Sequence, residues 1–323
     1  MTGSWPTSTE MRDLAKVKAG WIGNSLDLFG QLTTDSPNVP KTSFKHFNRV
    51  VGQPIHPDSG LPTDILDYQE EYEQAWNTHH KVILNKSRKI GATETALRII
   101  AYNCMNGTYQ SRHRIMIVAG NKQTVANRFL SRFKSIFGKG FYDLDGTFWS
   151  TEEKLTKKDT EEGHKQLFNK QSAGDLVEMY NGINIQAYPA NESVRGEENV
   201  VCVFLSECAF INLTDDTKVY NAVHPNVSNI RDADFVLEST PNGKRGFFWD
   251  LFTSDNEYYK LEQPYTVSMG QLLDEDFIEK ERNNTKIDFE QEYGCAFTTS
   301  LTSVFNEDDV RYVEAEIETY EDL

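Results

Sequence analysis

Four short apolar runs, each closed by a turn and set between helical stretches, constrain this chain more than any other feature. KVILNKS begins at Lys81, RIMIVAG covers 114–120, VVCVFL covers 200–205 and DFVLEST covers 234–240. Continuous hydrophobicity of this length marks strands buried on both faces. TETALRIIAYNCM and TVANRFLSRFKSIF, which follow the first two runs, carry their apolar residues on one helical face. GINIQAYPA (182–190) adds a strand and LDYQEEYEQAW (66–76) a helix. Such alternation predicts an α/β fold, a mainly parallel sheet with helices on both faces. The polar, turn-rich residues 1–60 read as a lead-in arm or small subdomain, 61–262 as the core, and 263–323 as a linker with an acidic end.

Charge and cysteine usage narrow the class. The 323 residues carry a formal charge of -16, and eight acids against Arg311 give the segment from Leu301 to Leu323 a charge of -7, leaving -9 for the rest. A chain this acidic does not capture nucleic acid broadly, so any DNA contact must be local. The one locally basic stretch holds Arg112, His113, Arg114, Lys122, Arg128, Arg132 and Lys134. Cys104, Cys202, Cys208 and Cys295 fall at no metal or redox spacing and read as reduced core residues of a cytosolic protein. No apolar run reaches 18 residues and the N-terminus lacks a secretory pattern, so neither a spanning helix nor a signal peptide is expected.

The most informative stretch is Asn85-Lys86-Ser87-Arg88-Lys89-Ile90-Gly91-Ala92-Thr93. It sits where a strand ends and a helix begins, where backbone N–H groups and the helix dipole favour a phosphate. Gly91 permits close backbone approach and Thr93 is placed to offer a hydroxyl to Mg²⁺. The usual pattern GxxxxGK[ST] is altered: Ala92 holds the lysine position and Lys86 the first glycine position, with cations moved forward to Lys86, Arg88 and Lys89. An engine of this kind needs a second apolar strand, expected beside the loop strand, ending in an acidic pair for metal and water. VVCVFLSE supplies Glu207 for the water, while Ser206 replaces the metal-side aspartate and adds no charge.

These residues resemble, in order, the ATPase domain of the large terminase subunit, the DNA-packaging motor of tailed viruses. KSRKIGAT looks like that family's variant Walker A, some members of which carry the lysine at the front. Tyr68-Gln69 stands at the adenine-sensing glutamine element, and RIMIVAGNKQTVANRF at the next strand–helix unit. Ser193-Val194-Arg195-Gly196 precedes VVCVFLSECAFI as the family's RG segment precedes Walker B. Glu238-Ser239-Thr240-Pro241-Asn242-Gly243, then Gly246-Phe247-Phe248, resembles the coupling motif, and FEQEYGCAFTTS the exit from the ATPase domain. The resemblance covers roughly residues 60 to 300 and implies a P-loop NTPase fold of the RecA-like (ASCE) kind.

It also implies roles. Amides from Ser87 to Thr93 (Ser87, Arg88, Lys89, Ile90, Gly91, Ala92, Thr93) would cradle the β-phosphate of ATP. Lys86 or Lys89 would neutralise the β/γ charge, and Arg88 would do the same or act as a cis arginine finger. Thr93 would ligate Mg²⁺, Ser206 would hold a metal-bound water, Glu207 would orient the attacking water and Gln69 would read adenine. Ser239 and Thr240 would sense the γ-phosphate, and Arg195, Arg231 and Arg245 are candidates for a finger offered in trans. Implied partners are double-stranded DNA, a portal protein, a small terminase subunit and copies of this chain in a ring, a pentamer on the portal. The expected place is the host cytoplasm, with no membrane. The chain stops about where the family's nuclease domain would begin, so no nuclease activity is assigned to it. Two alternatives stay open: a degenerate nucleotide-binding subunit, suggested by Ala92 and Ser206, and a helicase-like NTPase.

His79-His80 reads as turn surface, GFFWDLF (246–252) as core packing, and the stretch from Tyr142 to Gly146 as a turn with aromatic anchors.

Overall fold

The computed structural model describes residues 36–298, apart from 121, 172–175, 192–193, 212–215 and 228–229. Most of the lead-in arm, Ser193 and the acidic segment from 301 onward lie outside the described residues.

Five apolar segments form the parallel part of the sheet: β1 (Lys81–Lys86), β2 (Arg114–Ala119), β8 (Asn184–Tyr188), β9 (Val200–Ser206) and β10 (Asp234–Ser239). β11 (Tyr259–Gln263) adds a parallel edge beside β1. On the far edge β7 (Leu176–Met179) and β6 (Phe168–Gln171) continue antiparallel, giving the order β11-β1-β10-β9-β2-β8-β7-β6. A small sheet of β3 (Gly140–Tyr142), β4 (Phe148–Ser150) and β5 (Lys165–Gln166) stands apart. Its β3–β4 turn is held by Asp143, which accepts from the N–H groups of Asp145 and Thr147 and from the Trp149 indole. The aromatic-anchored turn expected there is present.

Side-chain alternation along the strands sorts the core into two layers. Val82, Leu84, Ile115, Ile117, Phe204 and Val236 face one side. There α1 (Phe44–Val51), α2 (Asp67–His79), α3 (Ala92–Asn106) and α4 (Gln123–Ser135) pack. Ile83, Met116, Val203, Phe235 and Leu237 face the other, under α6 (Asp216–Val223) and α7 (Gly246–Thr253). Between α4 and α6 lies one short exposed helix, α5 (Lys157–Glu161). Each fully buried aliphatic side chain adds about 1.5–3 kcal/mol. Phe247 and Phe248 of GFFWDLF are buried, as core packing requires, and all four cysteines are buried and unpaired.

One expectation changes and another gains detail. β9 does not lie beside β1, because β10 is inserted between them and pairs with both. The histidines at the end of α2 have partners: His79 stacks on Tyr259 at 4.0 Å, and His80 Nδ1 lies 2.8 Å from Asp234 Oδ1. The register explains the second, since the first residue of β10 is brought against the turn that opens β1. No described helix is long and apolar enough to cross a membrane.

Candidate functional site

The turn after β1 folds as a left-handed step at Lys89 (φ 62°) and another at Gly91 (φ 77°), and α3 starts at Ala92. A side chain at Gly91 would sit 3.1 Å from Gln69 Nε2 in a backbone conformation that L residues rarely adopt, so glycine is required. Tyr68 donates its hydroxyl to the Ile90 carbonyl at 2.7 Å, tying α2 to the turn. The first helical bond runs from Thr95 N–H to the Gly91 carbonyl. The amides ahead of it have no carbonyl within the helix, the arrangement that suits an anion. Two amides expected in the cradle are occupied: Ser87 N–H bonds the Gln263 carbonyl and Arg88 N–H the Glu292 carbonyl. The end of β11 and the chain after it supply the acceptors, and nothing in the loop sequence foretells them.

Every loop cation has a partner. Lys86, nearly buried, places Nζ 2.7 Å from Glu207 Oε1. Arg88 pairs with Glu292, on α9 (Phe289–Glu292), whose carboxyl is pushed above its ordinary value by burial despite the guanidinium. Lys89 lies 4.3 Å from the centroid of Phe277, on α8 (Glu275–Arg282). Glu207 itself has φ 54°, a left-handed residue directly after β9 that turns its carboxylate toward the loop. The strand-end carboxylate thus meets the loop across the intervening β10.

Beneath the turn lies Glu238, wholly buried in β10 and aligned in register with both Leu84 and Ser206. Its Oε1 accepts from the Thr93 hydroxyl at 2.5 Å and from the Ser206 hydroxyl at 3.1 Å, while Oε2 has no hydrogen-bond partner. Burial raises its pKa, and Lys86 nearby opposes the shift. Two hydroxyls and a buried carboxylate with an orphan oxygen form a hard oxygen donor set, which fits a magnesium ion. In the sequence Glu238 stands only as the first residue of the coupling segment. Counting by twos from Val236 would have put it on the α3 side of the sheet.

Two cavities share Lys89, Gly91 and Glu94 as lining. One, about 610 Å³, runs over the loop from Lys86 to Thr93 to Glu207 and Phe210. The other, about 580 Å³, is lined by Gln69, Ile55, Leu66, Leu272 and Phe277 and is mostly apolar. A cleft walled by Lys86, Arg88, Lys89 and Glu207, sharing lining with a second cavity at Gln69, suits a nucleotide. Arg132, grouped by sequence with a basic surface stretch, lines the loop cavity 3.5 Å from Glu94. Arg114 is tied to Glu197, Gln186 and Tyr188. The basic stretch is therefore not one continuous surface. Ser239 accepts from Ala209 N–H at 3.2 Å, and Thr240 is buried next to it. Of the finger candidates, Arg195 is exposed, Arg231 lies 3.8 Å from Asp232, and Arg245 donates to the Asn242 carbonyl.

Strand order, loop and strand-end glutamate define the ATPase-domain fold of P-loop proteins. The chain belongs to the family described as terminase large subunit, T4likevirus-type, N-terminal, whose model matches residues 83–311. Solved structures agree on the fold. The HK97 bacteriophage large terminase is 12% identical with a TM-score of 0.55, over 79% of this chain and 53% of that one. The large terminase of a thermophilic bacteriophage in complex with ADP is 12% identical with a TM-score of 0.52, over 76% and 57%. The complex of that same terminase with ATP-gamma-S gives 10% and 0.51, over 76% and 56%. The chain spans a little over half the length of these terminases.

Proposed function

We propose that this chain is the ATPase motor domain of a viral large terminase, hydrolysing ATP to drive double-stranded DNA into a procapsid. The observation that carries the reading is the 2.7 Å contact of Lys86 with Glu207, which joins a phosphate loop to a water-activating carboxylate. The terminase of the thermophilic bacteriophage holds ADP in one structure and ATP-gamma-S in another, which supports ATP as the ligand. Adenine fits the apolar slot at Gln69, and the phosphates fit the loop amides from Lys89 to Thr93.

In the resting site Lys86 neutralises Glu207. An arriving γ-phosphate draws Lys86 away, freeing Glu207 to orient a water and accept its proton. Thr93 would ligate magnesium and Ser206 would hold a metal-bound water, and the ion would supply positive charge against the phosphates. Ser239, which ends β10, and Thr240 after it would pass the change onward. Portal protein, small terminase subunit and a homo-oligomeric ring, a pentamer on the portal, in the host cytoplasm are the proposed setting. Arg88, held by Glu292, would need release before serving as a finger.

ATP turnover with DNA and partner subunits tests the reading. Glu207→Gln should bind ATP normally and lose about 100-fold or more in rate. Ala92 and Ser206, which replace a phosphate lysine and a metal aspartate, favour a second reading as a non-hydrolysing nucleotide binder. Zero turnover by the parent with full ATP binding would select it.

A further inference from the structure

The metal side of this site lacks a charge where one is needed. β9 ends in Ser206 rather than a carboxylate, and a serine hydroxyl cannot offset the charge of a triphosphate-bound cation. The neighbouring strand supplies one. Resting on the assignment of the loop to ATP, we propose that Glu238 is the metal-side carboxylate, moved one strand over and acting through the hydroxyls of Thr93 and Ser206.

Three observations point to it. The register sets Glu238 level with Ser206 on one side and Leu84 on the other, so a carboxylate there lies within reach of both the loop and β9. The alternation through Val236 turns it to the face on which α3 begins. Both hydroxyls donate to the same oxygen, Oε1, at 2.5 and 3.1 Å. With their protons committed there, the hydroxyl oxygens of Thr93 and Ser206 keep their lone pairs for a cation. Oε2 meanwhile stays without a hydrogen bond in a residue that has no exposed surface. A buried carboxylate left half-satisfied is costly unless positive charge arrives beside it. Lys86 acts on Glu238 through its charge, but its Nζ bonds Glu207 and leaves Oε2 without a hydrogen bond. Outer partners of this kind orient metal-binding groups and tune their affinity. Glu238 is thus a positioning residue, and a merely structural role for it would leave metal affinity untouched.

The test separates metal from nucleotide. ATP-gamma-S binding is measured by calorimetry in EDTA and in Mg²⁺, and Mn²⁺ bound to the nucleotide complex is counted by electron paramagnetic resonance. Glu238→Gln, nearly isosteric, is expected to keep the EDTA affinity and lose about 10- to 100-fold in Mn²⁺ affinity. Adding Ser206→Asp to Glu238→Gln should restore Mn²⁺ binding by returning the charge to β9. Parent-like Mn²⁺ affinity in Glu238→Gln overturns the proposal while leaving the ATP assignment standing. If Glu238→Gln also loses EDTA binding, the double variant decides: recovered Mn²⁺ binding supports the proposal, and metal-free binding without it overturns it. No ATP-gamma-S binding by the parent in EDTA or Mg²⁺ removes the ATP assignment and this proposal together.

Discussion

Lys86 and Lys89 are three residues apart, and the sequence offers either as the phosphate cation. The structure separates them. Lys86 is buried to 6% exposure and touches Glu207, whereas Lys89 lies over the Phe277 ring at the mouth of the apolar slot. Lys86→Ala should therefore weaken ATP affinity and abolish turnover. Lys89→Ala should lower affinity only a fewfold, because the Lys89 ammonium rests over the Phe277 ring and not among the loop amides. Equilibrium binding of a fluorescent ATP analogue to both variants checks this, and equal effects would place the phosphates elsewhere. Reading the loop alone could not decide between them, because the deciding partners, Glu207 and Phe277, lie 121 and 188 positions from their lysines. Such contacts depend on strand order and not on local pattern.

At the level of elements, the strand runs and their helices were legible because burial on both faces leaves an unbroken apolar signal, as in VVCVFLS. What the pattern does not encode is which strand neighbours which. β10 and β9 read alike, and only their packing shows that DFVLES lies between the loop strand and the strand bearing Glu207. Glu238 was obscured for that reason. The same insertion creates a titrating link, since Asp234 at the start of β10 meets His80 before β1, and its other oxygen accepts from Tyr109. The Asp234 hydrogen bond holds the His80 imidazole above its ordinary pKa, outweighing partial burial. The protonated ring is favoured in the folded state. Its stabilisation is thus complete below about pH 6.5, the unfolded value, and is lost as pH rises through the higher folded value. The melting temperature of the parent should exceed that of His80→Gln at pH 6 and the gap should narrow by pH 8.5. A gap independent of pH would refute the link.

Across the whole molecule, the end of β11 and the segment after it return to brace the site. Gln263 and Glu292 take the amides of Ser87 and Arg88, Cys295 takes Asn85 Nδ2 at 2.8 Å, and Gln291 accepts from Gly243 N–H at 3.0 Å. α9 therefore touches both the loop and the turn that follows Ser239 and Thr240. Sequence placed this stretch at the exit from the domain and gave no sign that it closes back, since carbonyl acceptors have no residue signature. Glu292→Gln should release Arg88 and tighten ADP binding about two- to fivefold, the worth of a part-exposed pair, with slower release in stopped-flow. Unchanged release would show that Arg88 does not meet the nucleotide. The partners of Lys86, Arg88 and Lys89 have one more consequence. Each positive group already has a partner within the protein, so on the proposed reading ADP would compete for them with Glu207, Glu292 and the Phe277 ring, and its departure would leave no cation stranded.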